Sequence, residues 1–112
     1  MIISEKTIEK QIIIWLLSKR IFCTKIDSTG IYDAKLGKFR MQHDSFKRKG
    51  VSDIIGIFNG KFLAIEVKSL KGRLSPHQLE FLNDVRANGG IAILARSIED
   101  VERGLYEANK GA

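Results

Sequence analysis

The sequence predicts an α/β domain in which a central mixed β-sheet is flanked by α-helices. Two β-branched and aromatic runs flank Asn59-Gly60, the dipeptide preferred in two-residue type I′ turns, so residues 53–68 are expected to form a β-hairpin. Ser75-Pro76-His77-Gln78 has the form of a capping box with proline at the first helical position. The apolar run from Ile91 to Ala95 follows this helix after Gly89-Gly90. A strand, helix and strand in this order predict a parallel crossover.

The first predicted helix covers residues 4–19. Ser4 can cap it, and its apolar residues recur at a period near 3.6. On a helical wheel Glu9 falls in the middle of the apolar arc, and Glu5 also falls on that side. Two carboxylates of this helix are therefore expected on the core side.

The other elements follow from shorter patterns. Residues 21–27 alternate enough for a strand, and a last helix is expected from Ser97 to about Asn109. The segment 31–50 is ambiguous: it is expected to be mainly a solvated connection, with room for one short strand around residues 38–42. The predicted order is α, β, an optional β, β, β, α, β, α.

Length and composition favour a single domain over residues 1–112. With 44% hydrophobic and 29% charged residues, the chain has the composition of a soluble globular protein. Its longest apolar run, Ile12 to Leu17, is six residues, against the roughly 20 that cross a bilayer. The lone Cys23 and an N-terminus without signal-peptide features favour the cytoplasm, as in a bacterium or a phage-infected host.

The chain is basic, with 19 Lys and Arg against 13 Asp and Glu and a net charge of +6, which makes polyanions the first partners to consider. The excess is concentrated between residues 25 and 50. An exposed basic loop would explain this segment equally well. The candidates for contacts with a DNA backbone are Lys35, Lys38, Arg40, Lys47, Arg48 and Lys49, with Lys71 and Arg73 after the hairpin.

The hairpin register places two acids side by side. If Asn59 and Gly60 form the turn, Asp53 lies opposite Glu66, and Lys68 joins the same face of the sheet. Two like charges about 5 Å apart repel by about 3 kcal/mol at an effective dielectric of 20. Lys68 offsets one charge, and a divalent cation with oxygen ligands would offset more, so Mg²⁺ is the natural candidate.

These residues resemble a known motif. Asp53, followed thirteen residues later by Glu66-Val67-Lys68, is similar to the D…ExK signature of the PD-(D/E)xK nucleases, with Ser52 where that motif has proline. More narrowly, the chain resembles the VRR-NUC branch over essentially its whole length. The residues that carry this resemblance are Lys49-Gly50-Val51-Ser52-Asp53, Ala64-Ile65-Glu66-Val67-Lys68, Gly72-Arg73-Leu74-Ser75, Gln78 and Gly89-Gly90.

The resemblance implies a restriction-endonuclease-like fold and metal-dependent cleavage of DNA phosphodiesters. It implies that Asp53, Glu66 and the Val67 carbonyl hold Mg²⁺, for which Mn²⁺ would substitute, and that Lys68 orients or activates the attacking water. Gln78 would accompany the motif, although a capping box also explains it. Glu9 would supply the first-helix acid, with Glu5 as its rival. No organic cofactor and no membrane are implied.

The resemblance further implies a homodimer that cuts branched DNA such as Holliday junctions. Flaps, nicked duplex or a specific duplex site remain possible nuclease substrates. A non-catalytic basic nucleic-acid-binding module, or an interaction protein whose charge is incidental, are the alternatives of another class.

Overall fold

The computed structural model describes residues 2–27, 31–35, 37–40 and 46–110, without the side chains of residues 31–33 and 38–40. Three helices and six strands lie in this part of the chain. They are α1 (Glu5–Ser18), β1 (Phe22–Lys25), β2 (Ile31–Asp33), β3 (Lys38–Arg40), β4 (Ile54–Phe58), β5 (Lys61–Val67), α2 (Pro76–Ala87), β6 (Ile91–Ala95) and α3 (Ile98–Lys110).

The central sheet has four strands in the order β1-β4-β5-β6. β4 is antiparallel to β1 and β5, whereas β5 and β6 are parallel and are connected through α2. The predicted mixed sheet with flanking helices is therefore confirmed, consistent with a restriction-endonuclease-like fold. A separate antiparallel pair, β2 and β3, lies in the segment that was expected to be mainly a connection. β3 covers part of the short strand expected there, whose residues 41 and 42 lie outside the described residues, and β2 was not predicted.

The hairpin turn has the conformation that its sequence predicts. Asn59 and Gly60 have φ angles of +52° and +79°, as a type I′ turn requires of its two central residues. The ladder runs from the pair Phe58 and Lys61 to the pair Ile54 and Ile65. The next position along this register places Asp53 opposite Glu66.

One face of the sheet forms the core with α1 and α3. Fully buried aliphatic side chains from β4, β5 and β6 pack there against those of the two helices, including Ile12, Leu16 and Val101. Burial of this surface is the main contribution to the stability of the fold. No helix in the described part of the chain has the length and apolarity needed to cross a membrane.

The opposite face carries the predicted acids and is only partly covered. Ala64 and Glu66 are buried, whereas Ile57 and Phe62 remain 51% and 43% exposed. The sequence suggested an apolar face that would be buried as a whole. That expectation is wrong for Ile57 and Phe62, because the flanking helices leave this end of the face partly uncovered.

The predicted N-terminal caps of α1 and α2 are confirmed. The Ser4 side chain accepts a hydrogen bond from the Thr7 N–H and caps α1. At α2, Ser75 Oγ accepts from the Gln78 N–H at 3.2 Å, and Gln78 Oε1 accepts from the Ser75 N–H at 2.9 Å. The capping box therefore fixes the conformation of Gln78 as well as the start of the helix.

Candidate active site

The Asp53 carboxylate is anchored at the end of the β4–β5 hairpin. Its Oδ2 accepts a hydrogen bond of 2.8 Å from the Val67 N–H, and its backbone carbonyl accepts one of 2.7 Å from the Ile26 N–H. These two contacts tie Asp53 to β5 on one side and to the end of β1 on the other. The carboxylate is thereby held beside the last residues of β5.

Glu66 is the most unusual residue of the sheet, because it is a carboxylate that is only 2% exposed. Its Oε1 accepts a hydrogen bond of 3.1 Å from Gln78 Nε2. Its Oε2 is fully buried and, while Glu66 is ionised, has no hydrogen-bond donor in the described part of the chain. A buried carboxylate oxygen without a donor is costly, and native structures usually satisfy such an atom with a ligand or water.

The pKa of Glu66 is raised from an ordinary value of 4.5 to about 8, and burial is the largest of the causes. Asp53 adds to this rise, both by its negative charge and by accepting a hydrogen bond from the protonated Glu66 carboxyl. The Lys68 ammonium lowers the pKa, and the charge of Glu5 raises it further. The two acids are therefore close enough to share either a proton or a cation.

Of the two first-helix acids, Glu5 is the one that acts electrostatically on Glu66. A Cβ atom added at Gly72 would lie 3.4 Å from Glu5 Oε2 and 3.3 Å from Lys68 Cδ, so these two side chains meet over this glycine. Glu9 instead forms an ion pair of 3.1 Å with Lys25 of β1. The metal-ligand role of Glu9 stays a prediction, and in this conformation the Glu9 carboxylate already has a cationic partner.

Gln78 forms the predicted capping box and also contacts the acid pair, while its catalytic role stays a prediction. Its amide oxygen belongs to the capping box, and its amide nitrogen donates to Glu66. The two ends of one amide therefore contact the start of α2 and the Glu66 carboxylate at the same time.

The segment that leads into Asp53 packs closely against the start of α2. A Cβ atom at Gly50 would lie 2.4 Å from the carbonyl carbon of His77 and 2.7 Å from the Gln78 nitrogen, and Gly50 has a φ of +79°. Both the backbone conformation and the contact therefore require glycine. In the same segment Ser52 is fully buried, and its hydroxyl has no hydrogen-bond partner among the described residues.

Arg96 holds the turn that follows Lys68, and sequence reasoning missed it. Its Nη1 donates to the carbonyl oxygens of Ser69, Leu70 and Gly72 at 2.5, 3.1 and 2.8 Å. Nothing in the sequence distinguishes this arginine from other surface cations. Its partners are backbone carbonyls, which a sequence pattern does not reveal.

The predicted DNA-contacting cations behave differently from one another. Arg48 pairs with Asp84 of α2 through an Nη2–Oδ2 contact of 2.5 Å, and its guanidinium lies 5.3 Å from the centre of the Phe81 ring. The side chains of Lys38 and Arg40 lie outside what the structure describes. The remaining candidates, Lys35, Lys47, Lys49, Lys71 and Arg73, are exposed.

The donor set at Asp53 and Glu66 fits a hard divalent cation. Mg²⁺ prefers carboxylate oxygens and keeps several waters, so it does not require an all-protein cage. The unpartnered Glu66 Oε2 is the atom that such a cation would satisfy. Within the described residues, no three Asp, Glu, His or Cys side chains converge as a metal-binding group. Any ion here would rely on two carboxylates, with the Val67 carbonyl and water as further ligands.

A comparison with protein families identifies the family of this chain. A family model described as the VRR-NUC domain matches residues 4–99, which is well over half of the chain. The comparison with curated proteins gave no match. The matched range contains every residue discussed at the Asp53 and Glu66 pair.

Proposed function

This chain belongs to the VRR-NUC family of nuclease domains, and from that premise we propose that it is a Mg²⁺-dependent endonuclease that cuts branched DNA as a homodimer. The observation that carries the metal-dependent step is the buried Glu66 carboxylate beside Asp53, with one oxygen held by Gln78 and the other without a partner. This oxygen offers a cation a pre-oriented ligand at the end of the hairpin.

The chain's own residues have separable tasks in the proposed reaction. Asp53 and Glu66 would hold the ion, with the Val67 carbonyl as a further ligand. A bound divalent ion supplies a nucleophile at neutral pH and neutralises charge that develops on the phosphate. The Lys68 ammonium would donate to the scissile phosphate or orient the attacking water, and Gln78 keeps Glu66 in one orientation. The proposed products carry a 5′-phosphate and a 3′-hydroxyl.

The proposal of branched DNA rests on the resemblance to free-standing, minimal members of the VRR-NUC branch, which tend to be homodimers that cut branched DNA such as four-way junctions. Two active sites related by a two-fold axis could nick two strands of a junction symmetrically. Exposed cations at Lys47 and Lys49 precede the hairpin, where they could contact phosphates without reading bases. Flapped and nicked substrates remain the second candidate class.

Cleavage assays on defined DNA test the proposal. Purified protein is incubated with a four-way junction, a flap and a linear duplex across titrations of Mg²⁺ and Mn²⁺. We expect the junction to be cut preferentially and only with metal, and we expect a dimer when the particle is sized in solution. Glu66→Ala and Lys68→Ala should lower the cleavage rate by at least about 100-fold while DNA binding persists.

Matched control variants come from exposed positions on other elements, namely Glu102→Ala on α3 and Lys61→Ala at the hairpin turn. Both should cut at the rate of the unmodified protein. Binding of all three DNAs without cleavage at any metal concentration would contradict the proposal and favour the non-catalytic binding module. Equal cleavage of junction and linear duplex would overturn the structure selectivity alone.

A further inference from the structure

A cavity of about 280 Å³ lies between strand β5, helix α2 and the segment that precedes β4. Its walls include Phe62, Phe81 and Arg48, none of which belongs to the proposed catalytic set. The volume is close to the lower end of small-molecule pockets, about 300 Å³. A flat ring system of one or two fused rings would fit a cavity of this size.

The cavity lies on the same face of the sheet as Glu66, nearer to the start of β5. Phe62 lies four residues before Glu66 on β5 and on the same face of the sheet, which corresponds to about 13 Å along the strand. Phe81 follows Gln78 by one turn of α2. Stacked nucleotides rise about 3.4 Å each, so the cavity lies roughly four nucleotides from the Glu66 carboxylate.

Three planar side chains line the cavity, namely those of Arg48, Phe81 and Phe62. The Arg48 guanidinium lies 5.3 Å from the centre of the Phe81 ring, and its ion pair with Asp84 holds it there before any ligand binds. Phe62 contributes a second ring, which is 43% exposed. Unpaired nucleobases stack on aromatic rings and on guanidinium planes in this way.

The shape of the cavity depends on the absence of a side chain at Gly90. A Cβ atom there would lie 2.7 Å from Val85 Cγ1 and 3.0 Å from the Phe62 carbonyl oxygen. Because Val85 and Phe62 both line the cavity, any side chain at this position would displace its wall.

We propose that this cavity binds one nucleobase that becomes unpaired at the branch point of the DNA substrate, an inference that rests on the proposed function because the same DNA must also reach the acid pair. Asp84 offsets the charge of Arg48 within the cavity, and Glu80 lies 4.0 Å from the same guanidinium. The positive charge that favours a nucleotide over an apolar side chain of a partner protein therefore comes from the two neighbouring lysines. Lys47 and Lys49 are exposed on either side of Arg48 and can pair with the flanking phosphates. Lysine is depleted in protein–protein interfaces, whereas it is a common phosphate partner.

An abasic-site scan tests the proposal on the unmodified protein. DNA junctions are prepared that each lack one base, at one to six nucleotides from the branch point, and affinities are measured by fluorescence anisotropy in EDTA. We expect one position, or two adjacent ones, to weaken binding by about 5- to 100-fold, the range for losing one stacked base. The other positions should stay within about twofold.

Variants then assign the effect to the cavity. Phe81→Leu and Phe62→Leu keep an apolar side chain but remove the ring, so both should bind intact DNA more weakly and lose the dependence on the abasic position. Tyr106→Leu, which removes an exposed ring on α3, is the matched control and should reproduce the scan of the unmodified protein.

Three results would overturn the inference. The first is a scan of the unmodified protein in which no abasic position weakens binding although the affinity for DNA is normal. The second is a position-dependent scan that persists in both leucine variants. The third is a flat scan of the unmodified protein together with loss of the dimer in Phe62→Leu. The last result would assign the cavity to contact between two copies of the chain. A position-dependent scan without any cleavage in Mg²⁺ would instead support the base site and contradict only the proposed nuclease reaction.

Discussion

At the scale of single residues, the site depends on the environment of Glu66. The fold buries this carboxylate next to Asp53 and provides one neutral donor, Gln78, so the metal-free site favours a bound proton. A divalent cation would have to displace that proton. Proton and metal therefore compete for the same buried oxygen.

The raised pKa of Glu66 predicts that the stability of the metal-free protein depends on pH. The pKa of Glu66 is about 8 in the folded chain and near 4.5 when unfolded, so the folded state holds more protons between these values. The free energy of unfolding should therefore fall as pH rises from about 5 to 8, by at most about 1.4 kcal/mol per pH unit. Urea denaturation in EDTA across this range measures the effect. Glu66→Gln should remove most of the slope, and an unchanged slope in that variant would contradict the assignment.

The two roles of Gln78 can be separated with two variants. Ser75→Ala removes the cap but leaves the Gln78 donor to Glu66, so stability should fall by about 1 kcal/mol with cleavage nearly unchanged. Gln78→Glu keeps an oxygen for the Ser75 N–H but replaces the donor with a negative charge, so the cleavage rate should fall by about 10-fold or more. Denaturation curves and initial cleavage rates distinguish the two. Equal loss of cleavage in both variants would mean that Gln78 acts only through the helix start.

The site residues differ in whether local sequence signals or long-range contacts determine their positions. Asp53 and Glu66 were predictable because a local turn signal fixes their register. Between Glu5 and Glu9 the sequence offered only directions on a wheel. The two acids differ because Lys25 of a neighbouring strand pairs with Glu9, and no sequence pattern contains that long-range contact.

At the scale of elements, the helices and strands with strong local signals formed as expected. The hairpin and the two cap motifs are each specified within a few residues. β2 and β3 have three residues each, too short for a periodic pattern to identify both of them. The turn held by Arg96 depends on a contact between residues 24 or more positions apart, so it too was not predictable.

The packing of the segment before β4 against α2 predicts a specific sensitivity at Gly50. Gly50→Ala forces a Cβ atom into the His77 carbonyl and strains a residue at φ +79°. Gly60→Ala is a matched control, because Gly60 has the same φ of +79° and no atom within 4 Å of the added Cβ. We expect Gly60→Ala to cost about 1 kcal/mol and Gly50→Ala at least about twice as much, measured by urea denaturation. Equal losses would indicate that the close contact with α2 contributes nothing.

At the scale of the whole molecule, the sheet separates stability from chemistry. One face packs against α1 and α3 and forms the core, while the other carries Glu66 and, further along β5, the cavity lined by Phe62. The class of fold follows from the order of the elements, and the family from the spacing of the acids. The cavity could not be predicted, because it depends on how much of the second face α2 leaves uncovered.

The central claim is that Asp53 and Glu66 together bind a divalent cation in place of a proton. Mn²⁺ titration followed by electron paramagnetic resonance, with calorimetry in buffers of different ionisation enthalpy, tests it most directly. At pH 7 we expect the ion to bind with release of about one proton, since Glu66 with a pKa of about 8 is mostly protonated there. Glu66→Gln should lose both binding and proton release, whereas Glu102→Gln should lose neither. Unchanged Mn²⁺ affinity in Glu66→Gln would contradict the account.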